Sequence, residues 1–272
     1  MPTTSSLTSG SRDLWMERFA RFGLVAKGIV YLLMGTISVL AAIGLSSENG
    51  DKTKAFQFLY EQPFGRVILV LIGAGMFGYV MLRGFQSVKD SENKGNDFKG
   101  LLDRTGYGLS GFLYLAIGIY AIRLALAGAS SQGGQDSRQF IVSKILEFEG
   151  GQYIVGICGL IVVGMGIYQF IRGVTGRFMK RVELYHSSMK DAFKTAGTLG
   201  YVCRGIVLAI IGYFLFHAAL HANPEEAQGT GAAFDFLQNN FGSVMMAVVA
   251  LGLAAYGVFC FVKARYQRIQ MK

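Results

Sequence analysis

Charge is scarce in this chain: only 16% of its residues are Asp, Glu, Lys or Arg, where a soluble domain carries about a quarter. The deficit lies in six apolar stretches, at 22–44, 66–82, 106–127, 152–171, 200–220 and 243–262, and no Asp or Glu falls inside any of them. Cation transporters and proton pumps usually carry a carboxylate at membrane depth, so its absence argues against cation-coupled transport. Cysteine is equally sparse. Cys158, Cys203 and Cys260 all lie inside the stretches; an odd set without paired spacing excludes a disulfide framework and a cysteine metal site, and packing is the expected role. Residues 1–20 lack an apolar core, so no cleavable signal peptide is expected and the first stretch serves as its own insertion signal. No nucleophile with a base, no paired acids and no metal-ligand cluster are visible, and the glycine-rich pieces lack the strand–turn–helix context of nucleotide loops. The expectation is a protein that is not an enzyme, with no catalytic residue, no cofactor site and no metal site.

What is present is length and apolarity. Each stretch holds about 17–23 residues, enough to cross a hydrocarbon core of ~30 Å at ~1.5 Å per residue. Helices satisfy their own backbone in lipid, so the expected fold is all-α with six transmembrane helices. The net charge of +9 invites a nucleic-acid reading, but its distribution argues against nucleic acid. With each basic residue assigned to the nearest end of a stretch, 20 of the 26 Lys and Arg fall with the termini and loops 2–3 and 4–5. Loop 5–6 carries Glu225, Glu226 and Asp235 and no basic residue. This is the positive-inside bias, which places both termini in the cytoplasm. The segment 14–22 is expected as a short amphipathic helix at the interface.

The chain repeats itself three times. Gly23, Gly28 and Gly35 recur as Gly106, Gly111 and Gly118, and again as Gly200, Gly205 and Gly212. The single domain 1–272 is thus expected to hold three two-helix repeats, at about 18–90, 101–178 and 195–268, around a pseudo-threefold axis normal to the membrane. A spacing of seven returns to one helix face. Gly28 with Gly35, Gly111 with Gly118 and Gly205 with Gly212 therefore form smooth stripes for close helix packing; a glycine-lined solute path is the alternative. Each even-numbered stretch carries a glycine and a tyrosine one turn apart: Gly75–Tyr79, Gly164–Tyr168 and Gly252–Tyr256. Arg83 and Arg172 follow, with Cys260 and then Lys263 in the third copy. A tyrosine above a terminal cation reads as an interface anchor or as a gate. The outer loops repeat as well: AFQFL from Ala55, AFDFL from Ala233, and more weakly Ile141, Ile145, Leu146 and Phe148 before Gly151. Such spacing suits short helices on the membrane surface that cap the bundle. Loop 4–5, basic and partly amphipathic, is expected to rest on anionic lipid heads.

The segments RFGLVAKGIVY from Arg21, AFQFLYEQPFGR from Ala55, RTGYGLSGFLY from Arg104 and GLAAYG from Gly252 resemble the six-span, three-repeat bacterial membrane domain known as domain of unknown function 1206. The resemblance covers residues 18 to 268 and implies a multi-pass protein of the bacterial inner (plasma) membrane. It brings no established activity and no site residues. The chain departs from the repeated pattern at Thr198, where the other copies have Arg21 and Arg104, at Leu208 in place of Tyr31 and Tyr114, and at Cys260.

Two constellations remain. His217 and His221 are one helical turn apart, late in the fifth stretch, with Arg123 late in the third. They read as interface residues, as a proton-linked pair or as metal ligands; for a metal, no third histidine or carboxylate is spaced with them. Arg21, Lys27, Arg83, Arg104, Arg172, Arg204 and Lys263 all lie near the cytoplasmic ends. They form a cationic collar, read either as topology signal or as a binding ring for anionic lipid heads or a small anion. A three-hairpin plan resembles that of mitochondrial solute carriers, but their Pro-x-[Asp/Glu]-x-x-[Lys/Arg] signature is missing. The expected function is a membrane scaffold or regulator that binds lipid, at its cytoplasmic face, or a membrane protein partner. The alternative is an anion or solute channel or carrier along the axis. A water-filled axis favours the channel, and a dry one the scaffold.

Overall fold

A computed structural model describes residues 5–45, 50–88, 95, 97–128, 135–181 and 187–267. Eight α-helices hold most of them: α1 (Ser5–Ala42), α2 (Lys52–Glu61), α3 (Gly65–Val88), α4 (Phe98–Ala127), α5 (Gln135–Leu146), α6 (Gly151–Val174), α7 (Ser187–Leu220) and α8 (Thr230–Tyr266). Six of them, α1, α3, α4, α6, α7 and α8, are long and apolar enough to cross a membrane. Residues 14–22 are not a separate surface helix; they continue directly into the first apolar run as the start of α1. Part of the linker between α6 and α7 also packs against the bundle. Its 3₁₀ turn Arg177–Arg181 places Phe178 in the core, stacked on Tyr201 at 5.0 Å and edge-on to Phe259 at 5.1 Å.

The spans pack in the order α4, α3, α1, α8, α7, α6. Glycine explains most of these junctions. A Cβ on Gly28 would lie 2.9 Å from the Gly257 carbonyl oxygen, and one on Gly35 2.7 Å from that of Ala250, joining α1 to α8. Gly205 and Gly166 face each other, and a Cβ on either would lie 2.7 Å from the other's carbonyl oxygen; one on Gly212 would lie 2.8 Å from that of Gly159, joining α7 to α6. A Cβ on Gly118 would lie 3.0 Å from the Met76 Cβ, and one on Gly111 3.3 Å from that of Arg83, joining α4 to α3 more loosely. In every case the second and third glycines of a trio face the even span of another repeat. Contacts this short leave no room for a side chain on the glycine, so at the α1–α8 and α6–α7 junctions backbone meets backbone.

The short helices of the outer loops cap the bundle opposite the termini. Phe56 and Leu59 of α2 are buried in the main core, and so are Ala233, Phe234 and Leu237 of α8; Ala55, at the position matching Ala233, is buried too. The third outer helix is thus fused to α8, and Gly242 (φ 83°) breaks the two parts from each other. Phe64 (φ 62°) and Gly150 (φ 82°) make the corresponding turns before α3 and α6. Left-handed backbone favours glycine, and Phe64 adopts it beside Pro63.

Candidate functional site

Among the described residues, the centre of the bundle holds charge without acid. Lys27, on the face of α1 that looks inward, is only 2% exposed. Its ammonium donates to the Tyr79 hydroxyl at 3.1 Å. It also lies 4.6 Å from the Tyr79 ring, 4.7 Å from Tyr114, 5.3 Å from Tyr256 and 5.9 Å from Tyr31. Arg204 of α7 closes the other side. It donates to the Tyr256 hydroxyl at 2.8 Å and to that of Tyr114 at 3.4 Å, while its Nε is buried without a partner. Tyr31 and Tyr114 share a hydrogen bond of 3.1 Å between their hydroxyls. Four tyrosines from α1, α3, α4 and α8 thus cage two cations. Burying a cation is costly unless it is paired; here hydroxyl acceptors and aromatic faces take the place of a carboxylate, each cation–π contact contributing on the order of 0.5–2 kcal/mol.

Below the cage, toward the termini, a pocket is lined from all six spans. Leu24, Tyr107 and Tyr201, which occupy one matching position in the three repeats, all face it. So do Arg83, Arg172 and Lys263. Arg83 joins pocket to cage, because its Nε donates at 2.8 Å to the same Tyr79 hydroxyl that Lys27 uses, and its Nη1 donates to Gln86 at 2.8 Å.

The seven collar candidates therefore separate into three groups. Lys27 and Arg204 are cage cations. Arg83, Arg172 and Lys263 line the pocket. Arg21 and Arg104 cap helix ends: Arg21 pairs with Glu17 at 2.7 Å and donates to the Arg265 carbonyl at 3.0 Å, closing α8, and Arg104 donates to the Ser87 and Val88 carbonyls at 2.8 and 3.0 Å, closing α3. Cations at helix C-termini satisfy orphan carbonyls. The repeated arginine is thus a helix cap, which repeat three lacks at Thr198. The six stripe glycines stay at helix crossings, away from the cage. Cys203 and Cys260 are buried, but Cys158 is exposed on α6 and does not pack as expected.

The cage was missed from sequence, although its signal was there. Lys27 and Arg204 hold one repeat position, as do Tyr31 and Tyr114; Ser110 and Leu208 complete the two sets. At the far end of the bundle, the spacing of His217 and His221 offered no third partner, but the loop folds Glu226 back to within 2.9 Å of His221 Nδ1 and 3.3 Å of His217 Nδ1. The hydrogen bond from His221 leads in holding the Glu226 carboxyl below its usual range.

Residues 22–90, 105–176 and 199–267 each match Domain of Unknown Function (DUF1206), so the three matches coincide with the three hairpins. The chain belongs to the DUF1206 family. It is 32% identical over 258 residues to the uncharacterized protein YxxB of Bacillus subtilis strain 168, covering 94% of this chain and 92% of that one. No solved structure matches it. With six membrane-length apolar helices, this DUF1206 chain is a multi-pass membrane protein.

Proposed function

We propose that this DUF1206 protein is a non-enzymatic protein of the bacterial inner membrane, with both termini cytoplasmic, that holds an anionic, phosphate-class group in its collar pocket. One observation carries the reading. Four cations, Lys27, Arg172, Arg204 and Lys263, lie in or directly below the core, and no Asp or Glu occurs in any of the six apolar stretches. A phosphate would supply negative charge among them, and arginine forks match its oxygens. A lipid head group is the favoured source, since each cation near an anionic surface contributes about 1 kcal/mol to binding. The channel reading is disfavoured because four packed tyrosine rings and Lys27 fill the centre of the bundle above the pocket.

The test removes pocket cations and leaves the cage. Arg172→Gln with Lys263→Gln should lower retention of phosphatidylglycerol or cardiolipin in native mass spectrometry. Titration with inorganic phosphate separates the two sources: binding of free phosphate without lipid retention would point to a soluble anion. Unchanged lipid retention and no phosphate binding would overturn the proposal, and anion flux through liposomes would replace it with the channel. Reporter fusions at Lys272 and within 223–231 test orientation; external signal from Lys272 would reverse it.

A further inference from the structure

At the end of the bundle opposite the termini, three metal-ligand groups converge from two segments distant from the collar. His217 lies in the last turn of α7 and His221 just beyond it, and the His221 amide continues the helical bonding to the His217 carbonyl at 3.0 Å. That register stacks the two imidazoles edge-to-face, with ring centres 4.7 Å apart. The chain then reverses sharply. Ala222 adopts left-handed backbone (φ 50°), the Asn223 amide bonds back to the Ala218 carbonyl at 3.0 Å, and the Asn223 side chain accepts from the Glu225 amide at 3.0 Å. The 3₁₀ turn Pro224–Glu226 follows, and Ala227 is fully buried directly behind it. The turn is therefore held by its own backbone and by the core, and it brings the Glu226 carboxylate to the Nδ1 atoms of both rings.

We infer that His217, His221 and Glu226 form a binding site for a divalent transition-metal ion of the Zn²⁺ class. One donor atom from each residue lies within 4.8 Å of the others. Bonds of about 2.0–2.2 Å in a tetrahedral site put donors roughly 3.3 Å apart, so rotamer adjustments of about an ångström gather all three. Imidazole and carboxylate are the donors this ion class prefers, and two histidines with one carboxylate leave a fourth position for water. The side chains remain a third to a half exposed, so an ion has a path in from the aqueous side. Local charge also suits a cation. No Lys or Arg occurs between Arg204 and Lys263, while Glu225 and Asp235 flank the site in sequence. The adjoining α5 contributes Gln139, which donates to the Glu225 carbonyl at 3.2 Å, and brings Arg138 against Gly229.

The test titrates ZnCl₂ into the full chain, purified in detergent and stripped with chelator, and uses Co²⁺ absorption as a geometric probe. One Zn²⁺ per chain at micromolar Kd or tighter is expected, with the intense visible bands of four-coordinate Co²⁺. His221→Ala and Glu226→Gln should each weaken binding by more than the roughly 10–100-fold that loss of a second-shell partner costs, whereas His186→Ala leaves it unchanged. Glu226→Gln is isosteric, so it carries the test should His221→Ala misfold. Absence of stoichiometric Zn²⁺ binding in the wild-type chain, or binding undiminished by Glu226→Gln, would overturn the inference and leave the triad as a surface hydrogen-bonded pair.

Discussion

In repeats one and three the two spans of a hairpin pack directly on each other. A Cβ on Gly23 of α1 would lie 2.5 Å from the Tyr79 amide nitrogen, and one on Gly200 of α7 would lie 2.7 Å from the Tyr256 Cα. Repeat two carries the same glycines at Gly106 and Gly164, yet a Cβ on either would meet nothing within 4 Å outside its own helix turn. Among the described residues α4 and α6 share no interface comparable with those of the other neighbours. Tyr168 shows the consequence: it is half exposed, whereas its counterparts Tyr79 and Tyr256 are 1% exposed in the cage. The outer helix follows suit. Where α2 and the start of α8 enter the main core, Val142 of α5 joins a small separate cluster with Val155, Ala218, Ala219 and Ala227. Two kinds of glycine contact therefore behave differently in this fold. The contacts between repeats are all kept, and the contact within a repeat is made only where a buried cation and tyrosine pull the spans together. Repeat two has Ser110 at that cation position.

The largest effect should come from the tyrosines. Tyr79→Ala or Tyr256→Ala empties a fully buried site and should cost about 3–5 kcal/mol, while Tyr168→Ala should fall within about 0.5 kcal/mol. Thermal unfolding in detergent reads the difference, and equal losses at all three positions would dissolve the contrast. Next come the glycines. Gly23→Leu and Gly200→Leu force spans apart and should each cost about 1–3 kcal/mol or more; Gly106→Leu meets open space and should keep wild-type stability and monodispersity. A destabilised Gly106→Leu would mean that the two spans of repeat two do close on each other. Tyr79→Phe isolates the polar part of the cage. It keeps the ring but removes the acceptor shared by Lys27 and Arg83, for an expected loss of about 1–3 kcal/mol. The smallest effect concerns the caps. Arg104→Gln should cost about 0.3–1 kcal/mol, and Thr198→Arg, which restores the repeated arginine, should gain a similar or smaller amount.

Much of the architecture was legible because its signals are local. The apolar lengths specify six spans, the sevenfold glycine spacing marks a packing face, and AFQFL and AFDFL present the same buried trio, Ala-Phe-x-x-Leu, in two loops. The collar was legible only as a list of cations. Nothing in the spacing separates Arg21, which caps α8 from 244 residues away, from Lys27, six residues further on and buried. That distinction depends on which helix lies opposite.

Six membrane-length helices in three related hairpins, apolar stretches without an acid and a charge bias toward one side therefore follow from composition and period, because each depends on residues within a turn or two, or on sums over a segment. The division of seven cations into caps, cage and pocket, the open hairpin of repeat two, and the return of Glu226 to His217 and His221 were decided by tertiary packing. Each joins side chains whose separation is governed by how helices cross and loops reverse, and a chain's own periodicity carries no record of its neighbours.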